Sequence, residues 1–158
     1  MKRSLKTGVA FGLTSGAITT LGLMVGLNSG THSRLVVLGG ILTIAIADAC
    51  SDALGIHISE ESGNVHTPKE IWASTLSTFF SKFLFALTFA VPVILLPLQT
   101  AVYVSIAWGL SVLAVLSYFI SKEDGNNTAG VIFEHLTIAV FVILVTNYLG
   151  GLINTVFS

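Results

Sequence analysis

Two aspartates, Asp48 and Asp52, lie within the otherwise apolar stretch ILTIAIADACSDALGIHIS, which covers residues 41–59. On a helix, residues four apart stand on one face, and Ser51 and Gly55 fall on the same side. A carboxylate in the core of a bilayer costs several kcal/mol unless it faces protein or water. This face should therefore not contact lipid. We expect the other helices to enclose it, and we interpret it as the lining of a cation path.

Carboxylates and hydroxyls at this spacing are suited to hard or borderline divalent cations such as Mn²⁺, Fe²⁺ or Mg²⁺. Two acids held close together resist carrying two bare charges, so protons and metal compete for such a site. The metal is then a transported substrate, and no tightly bound cofactor is expected. The predicted metal-binding residues are Asp48, Asp52, Ser15, Ser51 and Glu134.

Composition indicates a membrane protein. The chain has 158 residues, of which 53% are hydrophobic and only 9% charged, and its mean hydropathy is +0.89. A soluble domain is typically about 25% charged. The net charge of −1 gives no reason to expect a nucleic-acid partner. We predict an all-α, polytopic membrane protein with one transmembrane domain over residues 1–158.

Five apolar segments are long enough to cross a bilayer. They are predicted at about 7–27, 35–58, 76–97, 100–120 and 129–150. Lys2, Arg3 and Lys6 precede the first span, and positive residues are enriched in cytoplasmic loops. We therefore expect a cytoplasmic N-terminus and, with an odd number of spans, a C-terminus on the opposite side of the membrane.

Small residues form a stripe along the first span, which predicts close contact with another helix. The partner predicted for this stripe is the second span of the same chain or a second copy. The packing glycines are Gly8, Gly12, Gly22 and Gly26.

The polar connection after the second span contains Glu60 and Glu61, which we interpret as a cytoplasmic vestibule that gathers cations; a plain solvated loop is the alternative. His57 is predicted to lie at the same interface, on the opposite side of the helix from Asp48. Lys82, placed near the cytoplasmic end of the third span, is expected to extend to the headgroups. The alternative for Lys82 is a salt bridge to Asp52 or Glu134.

Several of these segments resemble the vacuolar iron transporter family. FGLTSGAITTLGLMVGL looks like the first span of that family, and IADACSDALG resembles its second. STFFSKFLFALTFAVPVILLP is more loosely similar to the third span, and YLGGLI to the end of the fifth. The resemblance implies a five-helix, two-fold dimer that exchanges ferrous or manganous ions for protons.

The chain also departs from that family. Ser15 stands where the family has an acid, Asp52 where it has a methionine, and Ile56 where it usually has a glutamate. The glutamate-rich cytoplasmic helices between spans two and three are missing. One acid has in effect moved from the first helix to the second, and a soft thioether ligand has been lost. The sequence therefore predicts a short member of the family.

Two other functions compete with divalent-metal transport. Paired intramembrane aspartates occur in membrane proteases, but those acids lie on different helices and this chain has no GxGD motif, so we do not expect an enzyme. The stronger alternative is a non-transporting bundle in which the acids are structural, pairing with Lys82 or holding helices together. The expected partners remain the lipid bilayer, metal ions, protons and a second copy of the chain.

Overall fold

The computed structural model describes residues 2–124 and 127–157, and every regular element in that part of the chain is a helix. This confirms the all-α prediction. Five helical segments are long and apolar enough to cross a membrane, with α3 and α4 together forming one of them. The helices are α1 (Lys2–Thr31), α2 (Arg34–Ser62), α3 (Pro68–Thr88), α4 (Ala90–Leu95), α5 (Leu98–Asp124) and α6 (Thr128–Phe157).

The third span begins earlier than the sequence predicted, at Pro68 instead of residue 76. The Glu70 carboxylate accepts hydrogen bonds from the backbone N–H of Thr67 at 3.0 Å and from its hydroxyl at 2.8 Å. Proline at the first helical position loses no hydrogen bond, and a Thr–Glu pair at this spacing closes a helix N-terminus. The span therefore runs over Pro68–Leu95.

This third span is interrupted at Phe89, where α3 ends and α4 begins. The cause is Pro92, because it lacks the N–H group that would bond to the carbonyl of Thr88. Phe89 is fully buried at the break, and its side chain belongs to the core of the bundle.

The first helix is the centre of the bundle, because α2, α3, α5 and α6 all pack against it. Its buried side chains meet apolar residues of its neighbours. The core cluster includes Ala17, Leu21, Met24, Val25, Val37, Ile41, Phe85, Phe89 and Val93. Large hydrophobic side chains also cover the outward faces, among them Ile46, Leu84, Phe141 and Leu144. An apolar outer surface of this kind fits a lipid bilayer.

The glycine stripe of α1 contacts two different helices. A methyl group at Gly8 or Gly12 would collide with α3, at Ser74 and Ser77 for the first and at Ser81 and Thr78 for the second. One at Gly22 would lie 2.8 Å from Val142 of α6, and one at Gly26 would lie 3.4 Å from the Thr146 carbonyl. These four positions contact the third and fifth spans of the same chain, and neither of the two predicted partners, the second span or a second copy.

We expect Gly12→Leu to destabilise the protein by about 1–3 kcal/mol or more, because the added side chain forces α1 away from the α3 backbone. Gly22→Leu should be milder, since its obstacle is the tip of a valine side chain. Val140→Leu is the control, because Val140 is exposed on α6 and the substitution changes no packed helix contact. Thermal unfolding in detergent measures the three effects. A Gly12→Leu protein as stable as the parent would contradict the packing.

Candidate functional site

The side chain of Lys82 ends in the interior of the bundle. Lys82 lies at the midpoint of the Pro68–Leu95 span and is only 1% exposed, and among the described residues it is the largest side chain that is fully buried. A buried ammonium is unfavourable unless oxygen atoms surround it. The groups around its ammonium therefore form the candidate functional site.

Three side-chain oxygens surround the Lys82 ammonium. Nζ donates a hydrogen bond to Asp52 Oδ2 at 2.5 Å and another to Ser15 Oγ at 2.9 Å. Asp48 Oδ2 also lies 2.5 Å from Nζ. The angles of this contact do not fit a hydrogen bond, so it is an ion pair only. Asp48 Oδ2 has no hydrogen-bond partner in the described part of the chain. Lys82, Asp48, Asp52 and Ser15 are called the ion-pair cluster below.

The ion-pair cluster forms where three helices meet. The absence of a side chain at Gly16 lets α3 approach α1, and a methyl group there would lie 3.3 Å from Lys82 Cγ. The small residues of α2 bring its backbone close in the same way. Its buried residues repeat every four positions, as Val37, Ile41, Ala45, Ala49 and Ala53. Because a helix turns once in about 3.6 residues, this stripe rotates slowly around α2 and passes beside the two aspartates.

The burial of Lys82 corrects the expectation for its side chain and supports the alternative. The lysine does not extend to the headgroups, because the earlier start of α3 places it midway along its span instead of near its end. Of the two salt bridges considered for Lys82, the one to Asp52 is present and is joined by a contact with Asp48.

Two predicted metal-binding residues lie outside the ion-pair cluster. Ser51 is exposed on the outward side of α2, because it is rotated past the aspartates and away from α3. Glu134 is exposed on α6, which packs against α1 and α5. Lys82 has both of its described ion-pair partners on α2, so it makes no salt bridge to Glu134. The structure thus brings Ser15, Asp48 and Asp52 together and leaves Ser51 and Glu134 apart.

At the end of α2, Glu60 is held against α3. Its Oε2 accepts a hydrogen bond from Ser74 Oγ at 2.5 Å. His57 Nδ1 lies 2.9 Å from Thr75 Oγ1, and its ring meets Trp72 edge to face. Glu61 is exposed. One of the two predicted vestibule acids is therefore part of the α2–α3 contact.

A row of polar side chains joins Glu60 to the ion-pair cluster along α3. Ser74, Thr78 and Lys82 are spaced four residues apart, and all three are buried. The Thr78 hydroxyl makes no hydrogen bond within the described residues, although most buried polar groups in proteins are paired. The spacing was visible in the sequence, but only the packing against α1 shows that these hydroxyls are enclosed.

Two carboxylates and one ammonium give the ion-pair cluster a formal net charge of −1. Both carboxylates remain partly accessible, with 25% of the Asp48 side chain and 20% of the Asp52 side chain exposed. Over residues 2–124 and 127–157, no group of three or more His, Cys, Asp and Glu side chains is arranged to hold a metal ion. Comparisons of the chain with protein-family models, curated proteins and solved structures found no match.

Proposed function

We propose that this protein transports divalent metal cations, iron or manganese, across a membrane in exchange for protons. The observation that carries the proposal is the ion-pair cluster, in which three oxygens and a net negative charge lie midway along apolar, membrane-length helices. A bare negative charge at that depth is costly. A proton or a cation neutralises it, so the two compete for the same carboxylates.

The choice of iron or manganese rests on the resemblance to vacuolar iron transporters, together with the hard oxygen donors of Ser15, Asp48 and Asp52. Divalent first-row metals accept such ligands, and geometry selects among them more than raw affinity does. The two exposed edges of the aspartates give a cation access to the ion-pair cluster. The hydroxyl groups of Ser74 and Thr78 line one route by which a cation could reach the ion-pair cluster.

The distribution of lysine and arginine supports a cytoplasmic N-terminus. In that orientation, the polar row starts at the cytoplasmic end of α2 and leads inward. We expect a cysteine placed at Ser62 to be labelled from the cytoplasmic side only. Labelling of Ser62→Cys by an impermeant reagent added outside intact cells would reverse the orientation.

We further propose a two-fold dimer formed through α2. Small, exposed residues recur every fourth position along its outward face, and Gly39 and Gly55 have open space above them. This face adjoins the accessible edges of Asp48 and Asp52, so a second copy would shield both from lipid and bring four acids to one axis. The face comprises Gly39, Thr43, Ala47, Ser51, Gly55 and Ser59.

Oxidative cross-linking tests the α2 dimer. A Cys50→Ser background carrying Ala47→Cys should form a disulfide-linked dimer in membranes, because facing small residues bring the two backbones close. Phe141→Cys, on the exposed side of α6, is the control and should stay monomeric. Cross-linking of the α6 cysteine alone would move the interface away from α2.

Transport is tested with the purified protein in liposomes that contain a metal indicator and a pH dye. We expect Mn²⁺ and Fe²⁺ to enter and protons to leave at the same time, with neither signal in empty liposomes. Mg²⁺ and Ca²⁺ are tested in the same way, and comparing the fluxes of the four metals gives the ion selectivity. Absence of flux for every metal, with correctly inserted protein, would reject the proposal.

The second candidate function is a non-transporting bundle, and the pairing of Lys82 with both aspartates favours it. In that case the two aspartates have a structural role, which is to neutralise the charge of the buried lysine. Thermal stability separates the candidates, because a ligand that binds only the folded state raises the unfolding midpoint. A midpoint that does not respond to Mn²⁺ or Fe²⁺ at millimolar concentration would support the structural candidate.

A further inference from the structure

The Lys82 ammonium lies at the point where the sequence predicted a metal ion. Its three oxygen neighbours belong to Ser15, Asp48 and Asp52, which are three of the five residues predicted to bind the cation. They come from two helices and converge on a single positive charge. The ammonium makes hydrogen bonds to Ser15 and Asp52 and an ion pair with Asp48, so it occupies the place that a bound cation would take.

The backbone and the first part of the Lys82 side chain are packed closely against α1. The backbone and side-chain stem of Lys82 pack against Gly12 and Gly16 of α1, where a methyl group would approach Lys82 atoms at 3.1 and 3.3 Å. The lysine is thus held by its stem while its amino group reaches the aspartates. Because the ammonium is attached to the protein, its effective concentration beside the two aspartates is always high.

We propose that the Lys82 ammonium is a tethered cation that competes with divalent metal for Asp48 and Asp52 and so sets how tightly metal binds. This inference rests on the proposed function, because it concerns the same carboxylates. With the ammonium in place the ion-pair cluster has one net negative charge, which a divalent ion over-compensates. Metal is accommodated fully only when the amino group moves away from the oxygens.

Removing the tethered charge should therefore tighten metal binding. Lys82→Met keeps an unbranched side chain that is one atom shorter, and it leaves two net negative charges. We expect this variant to bind Mn²⁺ about tenfold or more tightly than the parent, because a positive charge near the site has been lost. Lys82→Arg keeps the charge and should not tighten binding. Free Mn²⁺, counted by its electron paramagnetic resonance signal over protein in nanodiscs, measures both.

Lys82→Gln provides a second route if the methionine variant does not fold. Glutamine retains an N–H donor for Asp52 and Ser15 without the charge, and the same tightening is expected. A merely structural role for Lys82 would make binding weaker in both neutral variants. Mn²⁺ binding by either folded neutral variant that is equal to or weaker than that of the parent would overturn the inference. The inference would also fail if Lys82→Arg tightened Mn²⁺ binding as much as the neutral variants do.

The outcome also separates this inference from the proposed function. Parent protein that transports Mn²⁺ while Lys82→Met binds it no tighter would remove the tethered-cation role and leave transport standing. Tight Mn²⁺ binding by Lys82→Met, together with a parent protein that moves no metal in liposomes, would establish the competition and reject transport.

Discussion

Asp52→Asn is expected to reduce metal flux in liposomes to the level of empty vesicles and to stop the coupled proton movement with it. The substitution preserves the shape of the side chain but takes the ion-pair cluster from one net negative charge to zero. Asp48 and the Lys82 ammonium then neutralise one another. No electrostatic attraction remains to bring a cation to that depth.

The fold should survive Asp52→Asn, because Asp48 still lies beside the lysine. The elution profile and unfolding midpoint of the variant should therefore match those of the parent. Asp48→Asn should abolish or strongly weaken flux for the same reason. Both variants are made in the 158-residue chain and are reconstituted at the same ratio of protein to lipid as the parent.

Glu134→Gln is the matched control, because it removes an acid that is exposed on α6 and that makes no ion pair with Lys82. It should retain flux. Normal flux in a folded Asp52→Asn protein would show that the carboxylate is structural, and the non-transporting bundle would then replace the transporter. Loss of flux in Glu134→Gln would show that a second acid is needed outside the ion-pair cluster.

Replacing both aspartates should have the largest effect on stability. In Asp48→Asn/Asp52→Asn the Lys82 ammonium keeps only amide and hydroxyl neighbours while remaining buried. Leaving one partner of a buried ion pair uncompensated typically costs about 3–5 kcal/mol. We expect a marked fall in the unfolding midpoint and in the yield of monodisperse protein, whereas each single replacement leaves one carboxylate to pair with the lysine.

The control for this double variant adds Lys82→Met. Once the buried charge is gone, the three replacements together should recover most of the lost stability, since apolar side chains of similar size pack well in place of buried ion pairs. The deviation from additivity measures the coupling between the lysine and the two acids. A double variant that is as stable as either single variant would show that Lys82 finds another partner.

The number and order of the membrane-length segments were evident from the sequence by itself. A span needs about twenty apolar residues, and this requirement is a property of local composition that does not depend on neighbouring helices. The same holds for the spacing of Asp48 and Asp52, because residues four apart share a helix face wherever the helix lies. Five membrane-length helices and two aspartates midway along one of them were therefore predictable.

The depth of Lys82 was also encoded locally, although the prediction missed it. Thr67, Pro68 and Glu70 together form a helix-start signal, and recognising it would have begun the third span at Pro68. Lys82 would then have been placed midway along that span. From that depth a lysine does not reach the headgroups easily, so a buried ion pair would have been the favoured alternative.

Only the tertiary structure decided which helices meet and how each one is rotated. It placed Ser15 within hydrogen-bonding distance of Lys82 and turned Ser51 outward. It also separated Glu134 from the ion-pair cluster, and it set some α1 glycines against α3 and others against α6. A small-residue stripe permits close approach without selecting the partner, because any helix backbone fits against it. Rotation and pairing depend on the packing of the whole bundle, and that sum over distant contacts is absent from any single stretch of sequence.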